Sequence, residues 1–292
     1  MSALIRRMGH VAMSVPDLDR SVAWATTVMG MRETERVDGT AYLSHTDCHH
    51  SLQLRQAAAA GLDHVAMEAH DEPALDSLVS RLTAAGVPIL SEQPQEPGLT
   101  RAVRFPTPAG HVLEVFTGMH SDGIRHTGAG IQPRKFGHPM LCCEDTRETV
   151  TLFTDLLDFR ISDDVGEGTL VFMRCGVDHH GMGVGKGPRA GLNHYAWEVR
   201  DLGALGSLGD VLARNGSRFI WGPGRHGAGE NLFTYHFDPA GCIVEYYADL
   251  YQVWDEPTFQ AGQWSLAEGR FENLWGPGAP AEMTTTAIPV TS

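Results

Sequence analysis

Three side chains in the second half of the chain, His138, His194 and Glu245, form a set that could hold a metal ion. Each stands in a short apolar run that reads as a strand. Two imidazoles and one carboxylate from three strands make the facial arrangement of non-haem Fe(II) sites. Three protein ligands leave positions free for a substrate that binds through two atoms and for O2. Neutral imidazoles and a single carboxylate leave such a site with a net positive charge, which attracts an anionic substrate. Alternate residues of a strand face one way, so the three groups can project into one barrel-like mouth. One isolated histidine of this kind is usually plain core. Three such groups at repeated spacing in matched contexts argue for a site.

The repetition runs through the chain. Met8-Gly-His10-Val-Ala-Met, Leu62-Asp-His64-Val-Ala-Met, Phe136-Gly-His138-Pro-Met-Leu and Leu192-Asn-His194-Tyr-Ala-Trp begin four segments alike. Three of them lead into helices expected over 17–29, 72–85 and 145–157; residues 202–215, richer in glycine, take that part in the fourth. Phe105-Pro-Thr-Pro108-Ala-Gly110 and Phe237-Asp-Pro239-Ala-Gly241 are turns, each followed by an alternating strand that carries Glu114 or Glu245. His10 to His64 is 54 residues and His138 to His194 is 56; His64 to Glu114 is 50 and His194 to Glu245 is 51. His50 and His180 each stand 14 residues before the second histidine of their half. The expected fold is α+β, with four βαβββ modules paired into two homologous barrel-like domains. The first spans 1–118, a linker spans 119–134, and the second spans 135–248. A tail over 249–292 ends, from Gly276, in a stretch rich in Pro, Thr and Ala that is expected to be disordered.

From Gly224 to Glu245 the chain carries His226, Tyr235, Asp238-Pro239, Gly241 and Glu245 in order. This stretch resembles the signature of the type I extradiol ring-cleavage dioxygenases, within the vicinal oxygen chelate superfamily. Thr234 departs from it, standing before the Tyr where an apolar residue is usual. The likeness covers about 1–250 and is strong in the second half. It implies two barrels with the active metal, Fe(II) or alternatively Mn(II), in the second, on His138, His194 and Glu245. It implies His180, His226 and Tyr235 as catalytic groups. The reaction implied is opening of a catechol-type ring by O2, in aromatic-compound catabolism. Tyr235 would bond the substrate oxygen that loses its proton, and His180 would act on the O2 and serve as acid for O–O cleavage. His226 would close over the substrate or hold Tyr235. His179 competes for the role of His180, which is preferred for a His-x-x-x-apolar pattern shared with His50. Homo-oligomers are also implied.

The first half keeps His10, His64, Glu114 and His50 but not the groups around them. Ten residues before Glu245 is Tyr235, and ten before Glu114 is Arg104; nineteen before them are His226 and Gln95. A first half that kept only a scaffold is one reading, and a second metal on His10, His64 and Glu114 is the other. An arginine beside a metal would oppose binding.

A net charge of −14 argues against nucleic acid and anionic membrane as partners. No apolar run approaches the roughly 20 residues of a membrane-spanning helix, and Met1 to Val15 lacks the apolar core of a signal peptide. Five cysteines without a CxxC pair fit a reduced, cytoplasmic protein. Trp197, Trp221, Phe233 and Tyr246 are candidates to line an apolar pocket. The tail aromatics Tyr251, Trp254, Trp264, Phe271 and Trp275 are expected over the barrel mouth or at a subunit contact. The rival functions are a glyoxalase- or epimerase-like isomerase or lyase, a non-catalytic small-molecule binder, and an oxygenase that draws electrons from a 2-oxo acid. The first needs an additional Glu or Gln ligand, the second lacks the metal triad, and none needs the His180, His226 and Tyr235 set.

Overall fold

The computed structural model of the chain describes residues 4–124 and 130–291 and builds two sheets. The first half runs β1 (Ile5–Val15), α1 (Leu18–Trp24), β2 (Arg32–Val37), β3 (Thr40–Ser44), β4 (Leu52–Gln56), β5 (Gly61–Ala69), α2 (Glu72–Ala84), β6 (Arg101–Pro106) and β7 (Val112–Thr117). The second runs β8 (Lys135–Cys143), α3 (Thr146–Leu156), β9 (Arg160–Val165), β10 (Leu170–Arg174), β11 (Met182–Lys186), β12 (Gly191–Glu198), α4 (Leu202–Arg214), β13 (Trp221–Arg225), β14 (Leu232–Phe237) and β15 (Ile243–Ala248). The fold is α+β and repeats by halves. The second module is the reduced one: where the fourth has β13, it keeps only a single bridge between Ser91 and Arg104. Part of the expected linker, residues 125–129, lies outside the described residues.

All four module helices start behind an aspartate. Asp17, Asp71, Asp145 and Asp201 accept from the backbone N–H of Arg20, Ala74, Arg147 and Ala204. Each such cap contributes about 1 kcal/mol and fixes where the helix begins. The leucines of one helical face, such as Leu75, Leu78 and Leu82 in α2 and Leu205, Leu208 and Leu212 in α4, are fully buried. That face packs on the sheet and leaves the other sheet face free to form the inside of a barrel.

In the first sheet the order is β2-β3-β4-β1-β5-β7-β6, and in the second β13-β14-β15-β12-β8-β11-β10-β9. Modules therefore meet edge to edge, through antiparallel β1 with β5 and β8 with β12. The halves are joined by His111, whose Nε2 lies 3.0 Å from the carbonyl oxygen of Cys142 and 3.1 Å from that of Gly191. Among the described residues, no helix is long and apolar enough to cross a membrane.

The tail differs from the expectation. β16 (Gly262–Trp264) pairs with β9, α5 (Ala281–Thr285) follows, and β17 (Ile288–Pro289) pairs with β12 at Gly191 and Leu192. The stretch after Gly276, expected to be disordered, is tied down by its backbone and by the buried side chain of Ile288. The backbone N–H of Thr291 donates to the carbonyl of Leu62 at 2.8 Å. Composition suggested too little apolar surface for a core, but an open strand end needs only backbone partners and one apolar anchor.

The turn before β15 depends on Asp238. Its Oδ1 accepts from the backbone N–H groups of Ala240 and Cys242 at 2.9 Å each, and its Oδ2 from the Tyr195 hydroxyl at 3.0 Å. Burial raises this carboxyl to about 6, against those donors. The folded value lies above the ordinary 3.8, so the stability contributed by the protonated form is full below 3.8 and is lost as pH rises through about 6. Asp238→Ala is expected to cost about 2–4 kcal/mol in denaturant unfolding at neutral pH, because three interior donors lose their acceptor. Asp238→Asn, fixed in the neutral state, should cost less and flatten the pH dependence over that window.

Candidate metal centre

His138 comes from β8, His194 from β12 and Glu245 from β15, three neighbouring strands. The register places Ala196 opposite His138 on one side and opposite Glu245 on the other, with His194 two residues earlier on the same strand. A methyl group at the middle of this row leaves room above it for three converging side chains. The first half repeats the device: Ala66 stands between His10 and Glu114, with His64 two residues earlier.

All three second-half groups are buried, and one ligand atom from each lies within 4.8 Å of the others. Nε2 of His138 is 3.0 Å from Oε2 of Glu245, and Nε2 of His194 is 3.3 Å from it. Two donors about 2.1 Å from one ion and at right angles to each other lie about 3.0 Å apart, so these separations suit a shared ion.

The outer partners agree. The amide nitrogen of Asn193 donates to the carbonyls of Met283 and Thr286, which turns its oxygen toward Nδ1 of His194 at 2.8 Å. Nδ1 of His194 therefore carries the proton, and Nε2 presents a lone pair. That Nε2 is buried and has no hydrogen-bond partner, as a ligand atom requires. Asn231 donates to Oε1 of Glu245 at 3.1 Å and leaves Oε2 facing the imidazoles. Burial opposes ionisation of Glu245, but His138 and His194 beside it hold the carboxyl well below its usual range. The residues present fit a divalent ion of the Fe(II) or Mn(II) type.

The other expected site residues fall around this cluster. Tyr235 is paired across β14 and β15 with Glu245, and its hydroxyl is 3.0 Å from Nε2 of His226. Nδ1 of His226 donates to the carbonyl of Glu272, so Nε2 is left to accept from the Tyr235 hydroxyl. Burial, with Glu245 nearby, pushes the Tyr235 phenol well above its usual range, so at neutral pH it is a proton donor. Burial lowers His226 to about 4. The ring of His180 packs 4.4 Å from that of His138 and is pushed well below its usual range, by burial first and then by His138 and His179. His179 turns away: its Nε2 is 3.3 Å from Asp163, and its Nδ1 is 3.1 Å from Nδ1 of His180.

A cavity of about 630 Å³ opens above the cluster. His138, His180, His194, His226, Tyr235 and Glu245 form its polar end; Leu170, Phe172, Trp221, Leu266, Phe271 and Met283 are among the apolar residues that give most of the remaining wall, with Lys186, Arg189, Glu272 and the threonines 284–286 also on it. Of the four aromatic candidates only Trp221 faces it. Trp197 and Tyr246 are fully buried in the core, and Phe233 stacks 3.9 Å under His226. Phe271 is the tail aromatic at the cavity, whereas Trp254 is 76% exposed and Trp275 lies under Arg225 on the outside. Asn193, Asn231 and the tail residues 283–287 were not anticipated. Only Asn193 left a signal, because the position before the histidine holds Asp63 in the first half and Asn193 in the second, both 2.8 Å from that histidine's Nδ1.

In the first half a fourth donor, Glu96, joins His10, His64 and Glu114. The position equivalent by spacing, 18 residues before the strand glutamate, is Gly227 in the second half.

A family model described as the Glyoxalase/Bleomycin resistance protein/Dioxygenase superfamily matches residues 7–115 and again residues 135–246. A manganese-dependent 2,3-dihydroxybiphenyl 1,2-dioxygenase of Geobacillus genomosp. 3 is 25% identical over 98% of this chain and 99% of its own length. Among solved structures, a Mn(II)-bound glyoxalase from Novosphingobium aromaticivorans is 29% identical, with a TM-score of 0.88 over 98% of this chain and 96% of that one. Homoprotocatechuate 2,3-dioxygenase from Arthrobacter globiformis is 23% identical and shares the fold, with a TM-score of 0.90 over 100% of this chain and 95% of that one. With one match to each half and relatives that align over nearly their full length, the chain belongs to the Glyoxalase/Bleomycin resistance protein/Dioxygenase superfamily.

Proposed function

We propose that this chain is an extradiol dioxygenase that opens a catechol-type ring with O2, at a divalent metal held by His138, His194 and Glu245. The observation that carries this reading is the phenol of Tyr235, set beside the three donors and held at 3.0 Å by His226. When bound, Fe(II) or Mn(II) supplies Lewis acidity toward the catechol and a path for electrons to O2. Tyr235 places its hydroxyl where one catechol oxygen arrives and stabilises that oxygen as it loses its proton. His226 positions Tyr235 through Nε2 and is itself fixed by the carbonyl of Glu272. His180, at the polar end of the cavity, is the group placed to hold and return a proton on the O2 side. The cavity is much larger than one catechol ring and mostly apolar, which favours a bicyclic catechol or one with an apolar substituent. Homo-oligomeric assembly, which rests on the family resemblance, and a cytoplasmic setting, which rests on five cysteines without a CxxC pair and on an N-terminus without a signal-peptide core, belong to the same proposal.

The Mn(II)-bound glyoxalase among the similar structures favours a second reading, an isomerase or lyase that needs no O2. Against it, the second-half cluster has three donors among the described residues and Gly227 in the position of a fourth. The deciding experiment is anaerobic reconstitution with Fe(II), and in parallel with Mn(II), followed by air and a panel of catechols. Yellow ring-cleavage product that requires both metal and O2 is expected. Tightly bound metal with no O2-dependent product from any catechol would transfer the chain to the second reading.

A further inference from the structure

The first half holds a more complete set of donors than the second. His10, His64, Glu96 and Glu114 are all buried, and one ligand atom of each lies within 4.8 Å of the rest. Nε2 of His10 is 3.0 Å from Nε2 of His64. Nδ1 of His64 is held by Asp63 at 2.8 Å, the same outer partnership that fixes His194. Oε1 of Glu114 and Oε2 of Glu96 are buried without hydrogen-bond partners.

Arg104 closes this set. It is paired across β6 and β7 with Glu114, as Tyr235 is paired with Glu245. Its Nε donates to Glu114 at 2.8 Å, and one terminal nitrogen donates to Glu96 and lies 3.3 Å from Nε2 of His64. The guanidinium thus reaches three of the four donors. It matches them as a metal ion would, with positive charge presented to two carboxylates and to an imidazole lone pair.

We propose that the first-half cluster is a divalent-metal site in which the guanidinium of Arg104 serves as the resident cation and keeps metal out. Two buried carboxylate groups converging on one point are costly unless a cation sits between them. In the second half a metal can meet that need at a single glutamate, where Tyr235 leaves the centre open. In the first half a tethered cation does so permanently, which makes folding of this half independent of metal supply. Removing the guanidinium should therefore create an ion site rather than merely a defect. The proposal stands whichever reaction the second half performs.

The test is metal content per chain and Mn(II) binding by electron paramagnetic resonance, on four full-length proteins. With the native Arg104, the wild type is expected to hold one equivalent and Glu245→Ala none. Arg104→Ala should hold one equivalent more than the wild type, and Arg104→Ala with Glu245→Ala one. Added Mn(II) should raise the melting temperature of that double variant and leave that of Glu245→Ala unchanged. Should Arg104→Ala fail to fold even with Mn(II) present, Arg104→Tyr, which installs the residue of the second half, takes its place. A folded Arg104 variant that gains no metal overturns the proposal. So does a Glu245→Ala chain that still binds one Mn(II) with Arg104 in place and loses it when Glu114→Ala is added, which puts that ion in the first half.

Discussion

Glu245→Ala is expected to strip the second-half site of metal and to abolish ring cleavage with it. The reason is charge. His138 and His194 bring two neutral donors, and Glu245 brings the only carboxylate among the three. Loss of an outer partner alone costs about 10- to 100-fold in metal affinity, and loss of the anionic ligand itself should cost more than that. Asn231 would also lose the acceptor it now reaches at 3.1 Å, so Oε1 has a structural part as well as an electrostatic one. Glu245→Gln separates the two: it keeps the shape and a carbonyl oxygen, loses the charge, and should recover folding stability before it recovers metal. The measurements are metal content after dialysis, circular dichroism and the ring-cleavage assay. A Glu245→Ala chain that folds and retains its full equivalent of metal even with Glu114→Ala added would remove Glu245 from the ligand set.

The halves were legible in the sequence because matched local contexts leave matched strands. The repeated histidine motif marks β1, β5, β8 and β12, and the Pro-x-Gly turns mark β7 and β15. Helix starts were legible through aspartates that satisfy the first free N–H groups. The meeting of His138, His194 and Glu245 followed from strand periodicity plus repetition. What stayed hidden depends on contacts between distant segments. Asn193 matters because two tail carbonyls orient its amide, and spacing along the chain carries no trace of that. Glu96 sits in a segment without regular structure, one residue from the position the count reached at Gln95. The charge of Arg104 is legible as opposing a metal, but its bonds to both glutamates, one of them in an irregular segment, are not. The order of the tail is invisible to composition, which resembles that of disordered chains, because it comes from pairing with β12.

Tyr235→Phe should keep the metal and lose rate. The ring itself is held by packing that the variant retains: Trp221 stacks on it with centroids 5.3 Å apart at 17°, and the ring of His194 meets it edge-on at 5.3 Å. Removing only the hydroxyl therefore leaves the ligands and the ring in place. What goes is one hydrogen bond to a substrate oxygen that becomes negative, an interaction worth about 1.5–3 kcal/mol, or roughly 10- to 100-fold in rate. Because that charge develops as the substrate is deprotonated, the loss should fall mainly on kcat, with a smaller change in KM. His226 would lose the partner of its Nε2, so His226→Phe tests whether the imidazole acts only through the phenol. If it does, the double variant should be no slower than the slower single one. The checks are metal content, kcat and KM on one catechol for all three variants. Unchanged kcat in Tyr235→Phe, with metal in place, would leave the phenol as packing and remove the observation on which the ring-cleavage reading rests.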